Sequence, residues 1–164
     1  MQVIHTQARS HKPMLYIDTF FNGLRPYIQH IKDVKVDGNC GFRTIVDLLG
    51  FGEDGWLRFR KDLLLELQCH SEHYSALYVV EGRIDELTHT LSYFKNCPPY
   101  DRWMTMLDIG HLIASCYNAI LYHLSLQQCL TFLPLRSVPL PLLSRKDIAI
   151  AFVNGNHFVE VLIK

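Results

Sequence analysis

Several common features are absent from this 164-residue sequence, and each absence narrows the reading. There is no charge excess, because sixteen Lys and Arg balance sixteen Asp and Glu. Such a chain has no basic surplus with which to hold a phosphate backbone, so no nucleic-acid partner is expected for it. Long apolar runs are also missing. The longest apolar-leaning stretch, Leu112–Leu126, is broken by Asn118 and His123 and is too short to span a bilayer, so no membrane association is expected. No basic opening leads into an apolar segment, and no Asn-x-Ser/Thr site occurs. The expected setting is intracellular, cytoplasmic or nuclear. The five cysteines, Cys40, Cys69, Cys97, Cys116 and Cys129, form no C-x-x-C pair. An odd count without such pairs predicts free thiols in a reducing compartment and no structural zinc.

What is present is enough apolar material for a core. Hydrophobic residues make up 49% of the chain, and the length suits one domain. Residues 1–14 are polar and mildly basic and are expected to form a flexible N-terminal segment. Residues 15–164 are expected to form one domain. Leu15–Ile31, interrupted by Pro26, predicts short helical turns, and Ile31–Val36 predicts a strand. The turn-forming Asp37-Gly38-Asn39-Cys40 follows. Phe42, Ile45, Val46 and Leu49 then recur at helical spacing up to Gly50 and Gly52. Further helices are predicted from about Asp54 to Gln68 with Asp54 as N-cap, along Ile84–Phe94, and along Met104–Tyr117. Ala119–Leu124 and Cys129–Leu133 read as strands, Pro134–Pro141 as a surface loop, and Asp147–Val153 with Asn156–Ile163 as a hairpin turning at Asn154-Gly155. This order is α+β, with helices packed on a small sheet.

Two motif-like patterns carry little weight. Gly50-Phe51-Gly52-Glu53-Asp54-Gly55 has the G-x-G-x-x-G form, but a helix precedes it and its carboxylates would repel a pyrophosphate. It is read as a turn between helices. Cys69, His70 and His73 are close together but have no second ligand pair at zinc-like spacing, so they are read as a polar helix end.

Cys40 is different, because it opens a helix directly after a tight turn. A thiol at that position feels the positive end of the helix dipole, which favours the thiolate. The backbone N–H groups of Gly38, Asn39 and Cys40 could form a concave donor site for an oxyanion. His157, at the start of the last strand, is the candidate base. A cysteine and a histidine far apart in sequence but joined by the fold are the pattern of cysteine proteases.

Asp37-Gly38-Asn39-Cys40-Gly41-Phe42-Arg43 resembles the nucleophile motif of the ovarian tumour (OTU) family of cysteine proteases. Asn156-His157-Phe158-Val159 falls where that family carries its catalytic histidine. Trp103, Leu112-Ile113-Ala114 and Ala119–Leu124 resemble the family's tryptophan, helix and strand. The wording is most similar to OTU-like domains of plant Mutator-type transposon proteins, over about Tyr16 to Lys164. The resemblance implies an OTU-like α+β fold, with a small mixed or antiparallel sheet packed between helices and the nucleophile at a helix N-terminus. It implies a thiol-dependent deubiquitinase that cuts ubiquitin or a ubiquitin-like protein after its C-terminal glycine, with no metal and no cofactor.

In that scheme Cys40 is the nucleophile and His157 the base. The Asp37–Cys40 loop holds the oxyanion, so Asp37 joins the catalytic set, and Trp103 is a wall of the channel for the substrate tail. The family often places Asp or Asn two residues after the histidine, where this chain has Val159. Strand alternation puts Val159 on the His157 side and Glu160 on the other. Asn154, Asn156, Asp18 and Asp33 remain as residues that could orient the ring, and Asn154 is favoured because its turn leaves the side chain free to fold back. A catalytically weak or inactive ubiquitin-binding module is the alternative reading.

Overall fold

The computed structural model describes residues 14–164. The expected N-terminal segment, 1–14, lies outside the described residues except for Met14, which packs on the sheet. Five strands form one mixed sheet: β1 (Ile28–Lys32), β2 (Ala119–Leu124), β3 (Cys129–Phe132), β4 (Lys146–Val153) and β5 (His157–Ile163). Their spatial order is β1-β5-β4-β2-β3. Only β2 and β4 run parallel, and the other neighbours are antiparallel. Among the described residues five α-helices accompany them: α1 (Cys40–Leu48), α2 (Trp56–Cys69), α3 (Ser71–Leu77), α4 (Arg83–Leu91) and α5 (Met106–Tyr117).

The two-residue period of the strands divides the core. Leu121, Ile148, Ile150 and Phe158 join Phe42, Ile45, Leu63, Ile109 and Leu112 in a large cluster under the helices. Ala149, Ala151, Val153, Val159 and Val161 point the other way together with Ile28 and Ile31 of β1, and Phe20, Met14, Tyr16 and Ile17 pack on them. Side chains such as Phe42, Ile45 and Leu112 are fully buried, and each contributes roughly 1.5–3 kcal/mol by leaving water. The second face is thus closed by the chain before β1, which forms two 3-10 turns, Ile17–Thr19 and Arg25–Tyr27. Within the described residues no helix is long and apolar enough to cross a membrane.

Several boundaries differ from the expectation. The first strand is Ile28–Lys32 rather than Ile31–Val36, because its register is set by β5, with Ile31 opposite Val161 and Ile28 opposite Ile163. After Lys32 the chain leaves the sheet and its next side chain, Asp33, accepts the Val34 N–H. Asp54 does not cap α2; it lies in a 3-10 turn, Glu53–Gly55, that precedes the helix. The Gly50–Gly55 segment is a turn between helices, with no strand before it.

One polar group sits under α1. Glu160 projects from β5 toward Asp47 of α1, and Lys32 of β1 pairs with Asp47 and lies 3.4 Å from Glu160. Burial, with Asp47 alongside, pushes the Glu160 carboxyl up to about 8. A carboxyl with a raised folded pKa binds its proton more tightly in the fold. Its stabilising contribution is complete below pH 4.5 and is lost as pH rises through about 8. Glu160→Gln is therefore expected to flatten this dependence, raising Tm at pH 9 and leaving it unchanged near pH 4.5. A variant that melts earlier than wild type at pH 9 would show Glu160 to be ionised and usefully paired with Lys32.

Candidate active site

The loop between β1 and α1 is fixed by its own polar residues. Asp37 accepts the Asn39 N–H at 3.0 Å and a bidentate contact from Arg43, whose Nη2 lies 2.7 Å from Oδ2. Both side chains of this pair are almost wholly buried. Burial alone would push the Asp37 carboxyl up, but Arg43 and the Asn39 N–H hold it below the usual carboxylate range. Gly38 turns the loop at φ +78°, and a Cβ there would stand 2.6 Å from Trp103 Nε1. Only glycine fits both the backbone and that close approach. Trp103 in turn donates to the Pro98 carbonyl at 3.0 Å and packs on Tyr100.

Asn39 is fully buried, and its Oδ1 accepts from Arg60 Nε and Nη2 at 3.1 and 2.9 Å. Cys40 follows as the first residue of α1. The Asn39 N–H, expected among the oxyanion donors, is already taken by Asp37. The N–H groups of Gly38 and Cys40 donate to no acceptor among the described residues. Asp37, expected in the catalytic set, is a strut of the loop and contacts Arg43 rather than the histidine.

His157 opens β5 directly after the Asn154–Asn156 turn and is 4% exposed. Its Nε2 donates to Asp33 Oδ1 at 2.6 Å. The other oxygen of Asp33 accepts from the Tyr16 hydroxyl at 3.4 Å. Nδ1 of His157 is buried and makes no hydrogen bond among the described residues. The Cys40 thiol is the neighbour that raises the ring pKa most, and Asp33 adds to it, together outweighing the lowering by burial. The thiol is therefore close to the ring but not in a well-formed hydrogen bond, a looseness common in resting sites.

The fold thus brings Cys40 and His157 together. Of the residues left open for orienting the ring, Asp33 makes the contact. Asn154, the favoured one, sits exposed in the turn at φ +54°. Val159 lies on the face opposite its neighbours Phe158 and Glu160 and fills the second core cluster. Tyr16, Arg60 and the supporting role of Asn39 carry no local sequence signal, since each depends on contacts from distant segments.

A cavity of about 290 Å³ opens beside the thiol, lined by Gly38, Cys40, Trp103, Met104, His123 and Phe158 among others. His123 is buried with neither ring nitrogen bonded among the described residues, and burial pushes it down to about 4, so the imidazole is neutral at physiological pH. Within the described residues no group of three His, Cys, Asp or Glu side chains is arranged to hold a metal. A thiol at a helix N-terminus, an imidazole with one nitrogen committed to a carboxylate, and two unengaged N–H groups form an arrangement able to attack an acyl carbon.

No protein-family model matches the chain, and no curated protein matches it. Solved structures do. The OTU domain of OTUD1 superposes with a TM-score of 0.60 at 16% identity, over 81% of this chain and 85% of that one. The fold is that of OTU domains. The viral OTU domain protease from Dera Ghazi Khan virus gives 0.55 at 14% identity over 86% and 84% of the two chains. The one from Farallon virus gives 0.53 at 18% identity over 86% and 87%. At these identities the likeness is one of fold. In this OTU fold Cys40 and His157 occupy the helix start and strand start described above.

Proposed function

We propose that this OTU-fold chain is a thiol-dependent isopeptidase that cleaves ubiquitin or a ubiquitin-like modifier after its C-terminal glycine. The observation that carries the reading is the alignment of Asp33, His157 and Cys40, with Nδ1 of the ring left for the thiol. In this mechanism His157 Nδ1 takes the Cys40 proton and the thiolate attacks the isopeptide carbonyl. The N–H groups of Gly38 and Cys40 receive the oxyanion. The imidazolium then protonates the leaving lysine amine, and water deprotonated by His157 attacks the thioester, breaking its C–S bond to free the modifier's C-terminal carboxylate and the Cys40 thiol. Trp103 walls the cavity that would receive the glycine tail. Val159 and the transposon-like wording favour a non-catalytic ubiquitin-binding module, whereas the Asp33 contact favours the catalytic reading over it. The wording of the Cys40 and His157 segments supports kinship with OTU-like domains of plant Mutator-type transposon proteins, and a ubiquitin-like substrate is consistent with an intracellular setting.

The test is reaction with ubiquitin carrying a C-terminal electrophile, read by intact mass. Wild type is expected to gain one ubiquitin, and Cys40→Ala none, although exposed Cys69, Cys97 and Cys129 remain. Labelling that persists in Cys40→Ala, or a folded wild type that stays unlabelled while a probe built on another ubiquitin-like protein also fails, would sink the proposal.

A further inference from the structure

Asp33 makes the one hydrogen bond to the His157 ring found among the described residues, yet it stands outside the sheet with a side chain 38% exposed. A carboxylate in that position needs more than one anchor to stay aimed. Oδ1 is shared by His157 and the Val34 N–H, and Oδ2 accepts from the Tyr16 hydroxyl. The Tyr16 ring also lies against the imidazole, with centroids 6.2 Å apart and planes tilted by 54°.

The backbone at Tyr16 is unusual in the same place. It has φ +58°, the left-handed region that an aromatic residue rarely adopts. Such strain persists where surrounding contacts enforce it, and it gathers at functional sites. Here Thr19 enforces it, donating both its N–H, at 3.0 Å, and its hydroxyl, at 2.6 Å, to the Tyr16 carbonyl. Met14, Tyr16 and Ile17 all pack on the cluster that includes Val159.

We propose that Tyr16 is a positioning residue of the Cys40 site, its hydroxyl holding Asp33 and its ring shielding His157. This rests on the reading of Cys40 and His157 as the reacting pair. The segment ahead of β1 then completes the site as well as closing the second face of the sheet. The titratable groups around the imidazole are Cys40 from α1, Asp33 after β1 and Tyr16 itself. Tyr16→Phe keeps the ring, the packing and the backbone but removes the donor to Asp33. With Asp33 less firmly held, the imidazolium loses support, and Cys40 is alkylated more slowly on the acidic side.

The experiment measures alkylation of Cys40 by iodoacetamide from pH 5 to 9, resolved from the other cysteines by peptide mass, in wild type, Tyr16→Phe and Tyr16→Leu. In wild type, Cys40 is expected to react faster near pH 6 than exposed Cys69 and Cys97. In Tyr16→Phe that rate is expected to fall about 2- to 10-fold, the scale of one net hydrogen bond, and the acidic limb of the profile to move up. Tyr16→Leu, which also uncovers the ring, is expected to show the larger change. With an electrophile-free ubiquitin substrate the loss is expected in kcat, with KM unchanged. A folded Tyr16→Phe with the wild-type alkylation profile overturns the role of Tyr16 while leaving the catalytic pair intact. A wild-type Cys40 no more reactive than the exposed thiols overturns the reading of the pair, and the role of Tyr16 with it.

Discussion

Asp33→Ala is expected to lower kcat/KM for ubiquitin cleavage by about 10²- to 10³-fold, whereas Asn154→Ala stays within about 2-fold of wild type. The difference follows from geometry. Asp33 accepts a hydrogen bond from Nε2–H at 2.6 Å, and no other side chain among the described residues bonds to that ring. The contact fixes the tautomer, because a proton held on Nε2 leaves the Nδ1 lone pair for the thiol. Without it, a ring that is 4% exposed carries an unpaired N–H and is free to place its proton on the wrong nitrogen. The charge balance shifts as well. The His157 pKa is raised by the Cys40 thiol first and by Asp33 after it, so removing Asp33 lowers it. The linkage has a definite sign. A histidine with a raised folded pKa contributes stability that is complete below pH 6.5 and is lost as pH rises through the folded value. Asp33→Ala should therefore lose stability near pH 5.5 and little near pH 9, while its rate loss is greatest on the acidic side. Asp33→Asn, which can still offer a carbonyl oxygen to Nε2–H, is expected to retain more activity than Asp33→Ala. Hydrolysis of a ubiquitin C-terminal fluorogenic substrate, run beside urea melts at both pH values, checks this. An Asp33→Ala enzyme within about 3-fold of wild type, or an Asn154→Ala enzyme as weak as it, would refute the assignment.

How much of this was legible in the sequence depends on whether the signal is local. Ala119–Leu124 is a strand over those very residues, because Asn118 breaks the preceding helix in the left-handed region and an apolar run follows at once. Asp37-Gly38-Asn39-Cys40 reads as a turn into a helix because its turn chemistry lies within four residues. Helix α3, Ser71–Leu77, was hidden, since of its side chains only Tyr74 is buried and the rest give no apolar stripe. The same division applies to the site. Cys40 and His157 each stand at an element start that local pattern marks. The partner of His157 lies 124 residues away, and an expected strand through Val36 would have kept Asp33 inside the sheet. Only the register against β5, which ends β1 at Lys32, releases Asp33 toward the ring. Asn39 and Arg60 were hidden for a related reason, because polar residues in polar surroundings such as Arg58-Phe59-Arg60-Lys61 read as solvent-facing.

Arg60→Met is expected to destabilise the fold by about 3–5 kcal/mol, an effect large for one substitution and larger than its change in volume explains. Arg60 is fully buried in α2, and the described residues offer it no carboxylate partner. Its guanidinium is instead satisfied by neutral oxygens: Asn39 Oδ1, the Thr90 carbonyl at 2.7 Å and the Arg102 carbonyl at 2.9 Å. It also lies 3.8 Å above the Phe42 ring. Burial, reinforced by Arg102, pushes its pKa down to about 10, so it remains charged at neutral pH. Two effects oppose each other in the variant. Methionine removes a cation whose desolvation is costly, which favours the folded state. It also leaves the buried Asn39 Oδ1 and the half-buried carbonyls of Thr90 and Arg102 without this donor, the buried one alone costing about 1–3 kcal/mol, and removes the cation over the ring. The second effect wins because the acceptors belong to three separate segments that cannot re-pair with one another. Those segments are the residue before Cys40, the end of α4 and the turn Tyr100–Arg102 that leads to Trp103. Arg60 is therefore the pin that holds the Asp37–Cys40 loop against the wall of the cavity, and its loss should loosen Asn39 before the sheet opens. Urea unfolding at pH 7 measures the first consequence. Faster hydrogen exchange in residues 37–41 and 100–104 than in β4 and β5 measures the second. A loss below about 1 kcal/mol, or exchange that rises evenly over the whole chain, would show that the buried guanidinium is no more than a filler of space.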